Sequence, residues 1–86
     1  MTLKIISTTE VLFEGEVTLV SLPGAMGRFT VLRNHASLIS TLTGGKIGYR
    51  TGDAASTRDT EGFDGHFEVK GGIADIDNNI ISVCVY

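Results

Sequence analysis

Apolar and polar side chains alternate with a period of two along most of the chain, and the period of a helix is nearly absent. Near the start, Leu3 and Ile5 flank Lys4, and further along Phe29 and Val31 flank a threonine. Because successive side chains of a strand point to opposite faces, this alternation is typical of strands with one buried and one solvated face. The pattern predicts a chain of short β-strands.

The clearest amphipathic strand follows residues 51–62, a polar stretch that we expect to be a mobile surface loop. In this strand an apolar set of side chains faces one way and a polar set faces the other. The apolar set is Phe63, Phe67 and Val69, and the polar set is Asp64, His66, Glu68 and Lys70. We expect the apolar set to face the core and the polar set to face solvent.

Two upstream features predict changes of direction. The apolar phase slips by one residue between Leu19 and Val20, which favours a β-bulge or a strand that moves between two sheets. Further on, Gly44 and Gly45 follow an apolar strand, and a glycine pair tolerates the positive φ of a tight hairpin. We therefore expect the chain to reverse there.

The last strand, at residues 80–86, is apolar on both faces. Either this strand is a sheet edge that curls into the core, or another part of the chain or another subunit covers its second face. Its Cys84 is the only cysteine, so no internal disulfide can form, as in a reducing compartment. Its sequence neighbours include no basic residue of the kind that activates a thiol, and we expect a small buried side chain.

Many short strands, regular turns and the lack of helical periodicity predict an all-β fold, an antiparallel β-sandwich or flattened barrel of roughly eight to ten strands. The 86 residues suffice for one domain, so we expect residues 1–86 to form it alone.

Charge and hydropathy exclude several classes of partner. The formal net charge is −3 and the seven Lys and Arg residues are scattered, so neither nucleic acid nor an anionic bilayer is an expected partner. No stretch approaches the roughly 20 apolar residues of a membrane helix, and the N-terminus lacks the layout of a signal peptide. We expect a soluble cytoplasmic chain that does not insert into a membrane.

Catalytic and ligand-binding motifs are missing from the sequence. Gly45-Lys46 lacks the earlier glycine of a phosphate-binding loop, and no serine lies in a nucleophile elbow. His35 and His66 are 31 positions apart and form no short-range metal pair. We therefore predict no catalytic residue, no cofactor and no metal.

Residues 22–39 are the most informative part of the chain. They contain a Pro-Gly turn, a further glycine, a short alternating strand and an Asn-His-Ala corner. These residue types make a stiff, exposed edge rather than an active site, which favours a docking function.

In order along the chain, several elements resemble the N-terminal β-sandwich domain of the epsilon subunit of bacterial rotary ATP synthases. These elements are residues 11–17 (VLFEGEV), 22–24 (LPG), 27–32 (GRFTVL), 34–39 (NHASLI), 69–73 (VKGGI) and 80–83 (IISV). The resemblance covers essentially the whole chain, and residues 22–39 are its most specific part.

The resemblance implies a noncatalytic rotor subunit at the cytoplasmic face of the bacterial inner membrane, which packs on the gamma subunit and rests on the polar loops of the c-ring. Ion flow through the ring would then be coupled to ATP synthesis. The contacts that it implies with the ring are made by Arg28, Arg33, Asn34 and His35, and those with gamma by Ile5, Ser7, Ala36 and Ile39.

Three departures from the family pattern bear on these contacts. Arg28 stands where an acidic residue is frequent, so the ring loop should carry a compensating acid. Asn34 replaces a frequent glycine, which is tolerable because asparagine visits the left-handed region, and Ser37 replaces a frequent proline. The chain also stops before the two C-terminal helices of typical members, so we expect coupling without inhibition by helix insertion.

One alternative is a generic β-sandwich module that binds a ligand such as a glycan. Such a module is expected to expose aromatic side chains around a concave face. This chain has no Trp, and its four Phe residues lie mostly at alternating core positions. The sequence thus favours the rotor subunit.

Overall fold

The computed structural model describes residues 1–52 and 63–86. These residues form nine strands and no helix, which confirms the all-β prediction. The predicted loop at residues 51–62 lies outside the described residues from 53 onward. The strands are β1 (Thr2–Ile6), β2 (Val11–Glu16), β3 (Leu19–Gly24), β4 (Gly27–Leu32), β5 (Leu38–Leu42), β6 (Gly45–Arg50), β7 (Gly65–Val69), β8 (Gly72–Asp77) and β9 (Ile80–Val85).

One curled sheet forms both layers of the sandwich, in the strand order β2-β1-β9-β8-β5-β3-β6-β7, with β4 paired to β3. The strands β5 and β6 do not pair with each other. Instead β5 pairs with β8 in one layer, and β6 pairs with β3 and β7 in the other. The hairpin predicted at Gly44 and Gly45 is therefore wrong, because the chain bends there and continues from one layer into the other.

Not every neighbouring pair of strands is antiparallel. Strand β1 lies parallel to β9, from Thr2 opposite Ile80 to Ile6 opposite Cys84. The other pairs are antiparallel, including β8 with β9, which Asn78 and Asn79 join in a two-residue turn. Both asparagines have positive φ, 52° and 62°, as a hairpin turn of this length requires.

The apolar alternation slips by one residue at the start of β3, and this strand belongs to both layers. The pairing of β3 with β4 runs without a break, whereas the register shift lies elsewhere, between Ile5 and Ile6 of β1. Strand β3 pairs with β6 near its start and with β5 at Gly24. Of the two explanations for the slip, the strand that moves between two sheets is confirmed and the bulge in β3 is wrong.

The core lies between the two layers and is almost entirely aliphatic, with partly buried rings around it. Where β2 and β7 approach each other, Phe13 packs on Tyr49 at 4.5 Å between ring centroids and on Phe67 at 5.9 Å. These rings close the gap between two strands that share no backbone hydrogen bonds. The largest fully buried side chains are Leu3, Ile5, Val20, Leu22, Val31, Ile47, Ile76, Ile81 and Val83.

The last strand buries one of its two apolar faces. Ile81 and Val83 are fully buried, whereas Ile80 is half exposed and Tyr86 is more exposed still. Cys84 lies on the same outer face as Ile80 and is exposed. The expectation of a buried cysteine is wrong because the inward positions of β9 are the odd-numbered ones.

Phe63 does not lie on the core side with Phe67, as the alternation predicts. Strand β7 begins only at Gly65, and before it the Asp64 N–H donates to the Tyr49 carbonyl of β6 at 2.9 Å. The Phe63 ring covers the outer face at Gly48, where an added Cβ would approach the ring to 3.0 Å. Period-two alternation fails here because Phe63 precedes the strand, so its side chain is not bound by the alternation of β7.

Candidate docking surfaces

Arg28 lies at the start of β4 and extends across the outer face of the sheet. Its guanidinium Nη1 donates a 2.7 Å hydrogen bond to the Ser21 hydroxyl, and Nη2 donates to the Lys46 carbonyl. These two acceptors lie on the neighbouring strands β3 and β6. They orient the guanidinium while leaving the Arg28 side chain exposed.

The Asn-His-Ala corner follows β4 and is held to the turn between β8 and β9. The Asn34 backbone N–H donates to Asn79 Oδ1 at 2.6 Å, and Asn79 Nδ2 donates to Asn34 Oδ1 at 3.1 Å. Asn34 has φ of 66°, the left-handed conformation expected from its residue type. His35 Nδ1 donates a 2.7 Å bond to the Ala36 carbonyl, so the imidazole is used locally.

The four residues implied in ring contact lie at the two ends of β4. Arg28 lies beside the β3–β4 turn, opposite Pro23, whereas Arg33, Asn34 and His35 follow the far end of β4. Four strand residues, 29–32, lie between Arg28 and Arg33, which makes the two Cα atoms about 17 Å apart along an extended chain. A contact that includes both ends of this strand would have to extend over at least this distance.

The four residues implied in gamma contact also separate. Ile5 has no exposed surface, because it points inward from β1 into the aliphatic core, and its assignment to a contact surface is wrong. Ser7 is partly buried and its hydroxyl accepts bonds from the Thr9 and Glu10 backbone in a local turn. Ala36 is exposed, and Ile39 on β5 is 71% exposed.

Ile39 belongs to a larger outer face on the layer formed by β5, β8, β9, β1 and β2. Register places Ile39 beside Asp75, and Ile73 beside Cys84, all with their side chains outward. Ile73 is 54% exposed and Ile80 is 50% exposed. This outer apolar face, defined by Ile39, Ile73, Ile80 and Cys84, also carries Asp75 and Asp77. Its exposed isoleucines suit contact with another surface.

The opposite layer carries a trough on its outer face. Its floor crosses the strands through Ser21 and Gly48, where small residues leave room, and its volume is about 480 Å³. Arg28, Lys46 and His66 contribute polar or basic groups to its lining. The Phe63 ring forms an apolar wall, with the Arg50 guanidinium carbon 5.6 Å from the ring centroid.

Charged residues are unevenly distributed along the chain, although the Lys and Arg residues look scattered. Residues 17–52 contain no Asp or Glu, although the whole chain has ten acids and a net charge of −3. The same stretch holds basic residues on or next to β4 and β6. These are Arg28, Arg33, Lys46 and Arg50. The fold gathers this stretch into strands β3 to β6, where Arg28, Arg33 and Lys46 are exposed and Arg50 is buried, so this part of the surface is positively charged.

Asp64 fixes the chain where it enters β7. The Thr51 backbone N–H and the Thr51 hydroxyl, the latter at 2.9 Å, donate to Asp64 Oδ2. These two bonds hold the pKa of Asp64 below its ordinary value of 3.8, and the bond from the Thr51 backbone has the larger effect. The ionised carboxylate therefore holds Thr51 beside the segment that carries Phe63.

We predict that this link is lost in acid. Because the pKa of Asp64 is lowered by folding, its stabilising contribution is present above about pH 3.8 and disappears as the pH falls through the lower, folded value. The Thr51 amide resonance should therefore shift with a midpoint below 3.8, and Asp64→Asn should remove that titration. A midpoint at or above 3.8 would show that the two hydrogen bonds do not form in solution.

The described residues offer no arrangement for metal chemistry and no helix that could cross a membrane. Within residues 1–52 and 63–86, no three His, Cys, Asp or Glu side chains lie close enough to share a metal ion. The same residues include no helix long and apolar enough to span a bilayer. The exposed features that remain are the surfaces described above.

Comparison with known families identifies the fold. Residues 1–86 match the family described as the beta-sandwich domain of ATP synthase Delta/Epsilon chains. The chain belongs to this family. The resemblance stated from the sequence is thus confirmed, and so is the β-sandwich architecture.

Curated relatives are named as the epsilon chain of ATP synthase. That of Caulobacter vibrioides is 43% identical over 65 residues, covering 76% of this chain and 65% of its own length. That of Leptospira borgpetersenii is 30% identical over 83 residues, covering 96% of this chain and 58% of its own length. The chain therefore spans about three fifths of the length of these relatives. They are named as a chain of a multisubunit complex, which agrees with the prediction of a noncatalytic subunit.

Solved structures of low sequence identity share the fold. A chain in the central stalk and c-ring of the Tetrahymena thermophila mitochondrial ATP synthase superimposes with a TM-score of 0.75 at 10% identity, covering 98% of this chain and 61% of that one. A chain of the Euglena gracilis mitochondrial enzyme gives 0.77 at 16% identity, covering 96% and 48%. The β-sandwich fold is thus shared where little sequence identity is left.

Proposed function

We propose that this chain is a noncatalytic rotor subunit in the central stalk of a proton-translocating ATP synthase, where it joins gamma to the membrane ring. The observation that supports this most is the family match over residues 1–86. In this role the protein transmits torque between two neighbours and binds no substrate. The double-layered sheet suits the task, because close-packed interiors deform little under load.

The gamma subunit packs on the outer apolar face in this proposal. Ile39 is the most exposed member of that face, and Ala36 lies just before the same strand. Covering Ile39, Ile73 and Ile80 removes apolar surface from water, which favours association by about 25 cal/mol per Å². Ile5 takes no direct part, although it supports this layer from inside.

The ring contact centres on Arg28 in this proposal, because its exposed guanidinium is held in one orientation beside the β3–β4 turn. Met26 in that turn is fully exposed. A carboxylate on a polar loop of the ring would pair with the oriented guanidinium of Arg28. The corner at residues 33–35 lies at the opposite end of β4 and faces away from the ring.

The cellular location follows from this role. The subunit is peripheral, held at the cytoplasmic face of a bacterial inner membrane by the complex and not by insertion into the bilayer. The two relatives described above are bacterial proteins, which supports this location.

Charge reversal at the two ends of β4 tests the ring contact. Arg28→Glu should weaken assembly with the c-ring at least about tenfold, since like charges across an interface are repulsive. Its cost in unfolding free energy should be about 1–2 kcal/mol, because one of the two lost hydrogen bonds is exposed and the other is only partly buried. Arg33→Glu is the matched control and should leave ring binding unchanged. If Arg33→Glu weakens ring binding and Arg28→Glu does not, the ring faces the corner instead.

Reconstitution tests the rotor role itself. Adding the purified chain to an ATP synthase depleted of its epsilon subunit should restore ATP-driven proton pumping into vesicles. The depleted complex alone should hydrolyse ATP with little pumping. Unchanged pumping after stoichiometric addition would contradict the proposed role in coupling.

A further inference from the structure

Three strands of the sheet have only one hydrogen-bonded neighbour among the described residues. They are β2, which pairs with β1, β7, which pairs with β6, and β4, which pairs with β3. The open edge of such a strand presents unpaired backbone N–H and C=O groups that can template another strand. Proteins normally protect these edges with charges, bulges or coverage.

The edges of β2 and β7 are protected in these ways. The pairing of β2 with β1 has a register shift, and β2 carries Glu14 and Glu16. Strand β7 carries Glu68. The contact between Phe13 and Phe67 also covers the space between these two edges. Addition of a further strand is therefore disfavoured at both.

Within residues 1–52 and 63–86, strand β4 has none of these protections. It has no proline and no acid, and its six residues pair with β3 in an unbroken register. Its one charged residue is Arg28, whose guanidinium is directed toward Ser21 and the Lys46 carbonyl. Because both acceptors lie on the β3 side, the Arg28 side chain does not block the open edge, although its positive charge remains exposed on the outer face of β4.

The backbone of β4 is oriented for pairing at this edge. Gly24 and Gly27 close a two-residue hairpin, so Gly27 and Phe29 exchange backbone hydrogen bonds with their partners on β3. The N–H and C=O groups of Arg28 and Thr30 then point to the open side. Leu32, two residues after Thr30, fits the same alternation. Its carbonyl accepts a hydrogen bond from the His35 N–H in the following turn and not from β3.

The surroundings of the edge select the chemistry of an added strand. On the outer face the strand would meet Arg28, in a stretch of chain that contains no acid from residue 17 to 52. On the other face it would border a groove of about 650 Å³ whose lining includes Phe29, Leu38 and Ile39. Alternate side chains should therefore be acidic and apolar.

We propose that the open edge of β4 is a strand-addition site that binds an extended segment of a partner protein with alternating acidic and apolar side chains. Backbone hydrogen bonds to Arg28 and Thr30 supply the affinity, and the two flanking surfaces supply the selectivity. This inference does not depend on the rotor role, because any protein that presents such a segment could bind there.

The test uses the isotope-labelled full chain and a capped heptapeptide, Glu-Val-Glu-Val-Glu-Val-Glu, followed by backbone amide chemical shifts. The expected result is saturable binding that perturbs the amides of Arg28 and Thr30 most strongly and leaves β2 and β7 unchanged. A twin peptide with Lys in place of Glu should bind at least about tenfold more weakly.

Two variants of Thr30 separate the contribution of its backbone N–H to peptide binding from that of its side chain. Thr30→Pro should abolish binding, because it removes an N–H that points to the open edge and costs no bond to β3. Thr30→Ala keeps that N–H and should bind as the unmodified chain does. Absence of binding at millimolar peptide, equal binding of the Lys twin, or perturbations centred on another edge would each overturn the proposal, whether or not Thr30→Pro folds.

Discussion

Replacing Ile5 by alanine will lower the free energy of unfolding by about 2–5 kcal/mol, the range for truncating a fully buried aliphatic side chain. Ile5 has no exposed surface and points into the core from β1, between β2 and β9. The neighbouring strands are fixed by backbone pairing, so the cavity can collapse only in part. Urea denaturation of the purified chain measures this change.

Ile39→Ala is the matched control for Ile5→Ala, because both residues are implied in gamma contact by family resemblance. Ile39 is 71% exposed, so its truncation should change the unfolding free energy by no more than about 0.5 kcal/mol. It should instead weaken binding to gamma. If Ile5→Ala is neutral for stability but lowers gamma affinity, Ile5 is a surface residue and the described core is wrong.

Phe67→Ala will have the second large effect, a loss of about 3 kcal/mol. This is the lower end of the range for a phenylalanine, because Phe67 is only partly buried. The ring contacts Phe13 and lies 6.3 Å from the Tyr49 centroid, so its loss also opens the gap between β2 and β7. Thermal unfolding should therefore shift to a lower temperature by well over ten degrees.

Phe63→Ala provides the comparison on the other side of the sheet. Phe63 is 37% exposed and covers Gly48 on the outer face. We expect its truncation to cost about 1 kcal/mol or less, since the ring leaves no cavity in the core. Equal effects of the two substitutions would place both rings on one face, as the alternation of the sequence predicts.

Local features of the fold could be read from the sequence because they depend on neighbouring residues. The alternation around Lys4 and Thr30 gave the correct inward positions in β1 and β4. The Asp77-Asn78-Asn79 turn was predictable since asparagine tolerates positive φ. Asn34 adopts the left-handed conformation for the same reason.

Features that depend on distant residues could not be read in this way. The parallel pairing of β1 with β9 joins segments about 80 positions apart, and no local pattern specifies it. The glycine pair at residues 44–45 permits a hairpin and a bend equally, and tertiary packing decides between them. The exposure of Cys84 depended on which of two apolar faces of β9 meets the core.

The docking surfaces were only partly predictable. Family resemblance named residues along β4 and β5 but could not separate the two ends of β4 or recognise that Ile5 is buried. The sequence did contain an unused signal, the absence of acids from residue 17 to 52. Its meaning depends on the fold, which brings those residues together around an unprotected strand edge.

The most direct test of the rotor account is the mass of the complex that this chain forms with the gamma subunit of its own ATP synthase. The two proteins should be co-expressed, purified through a tag on gamma, and analysed by size-exclusion chromatography with light scattering. The account predicts a stable complex of one copy of each chain, which Ile39→Ala weakens. Elution of the chain as a free monomer, with gamma recovered alone, would contradict it.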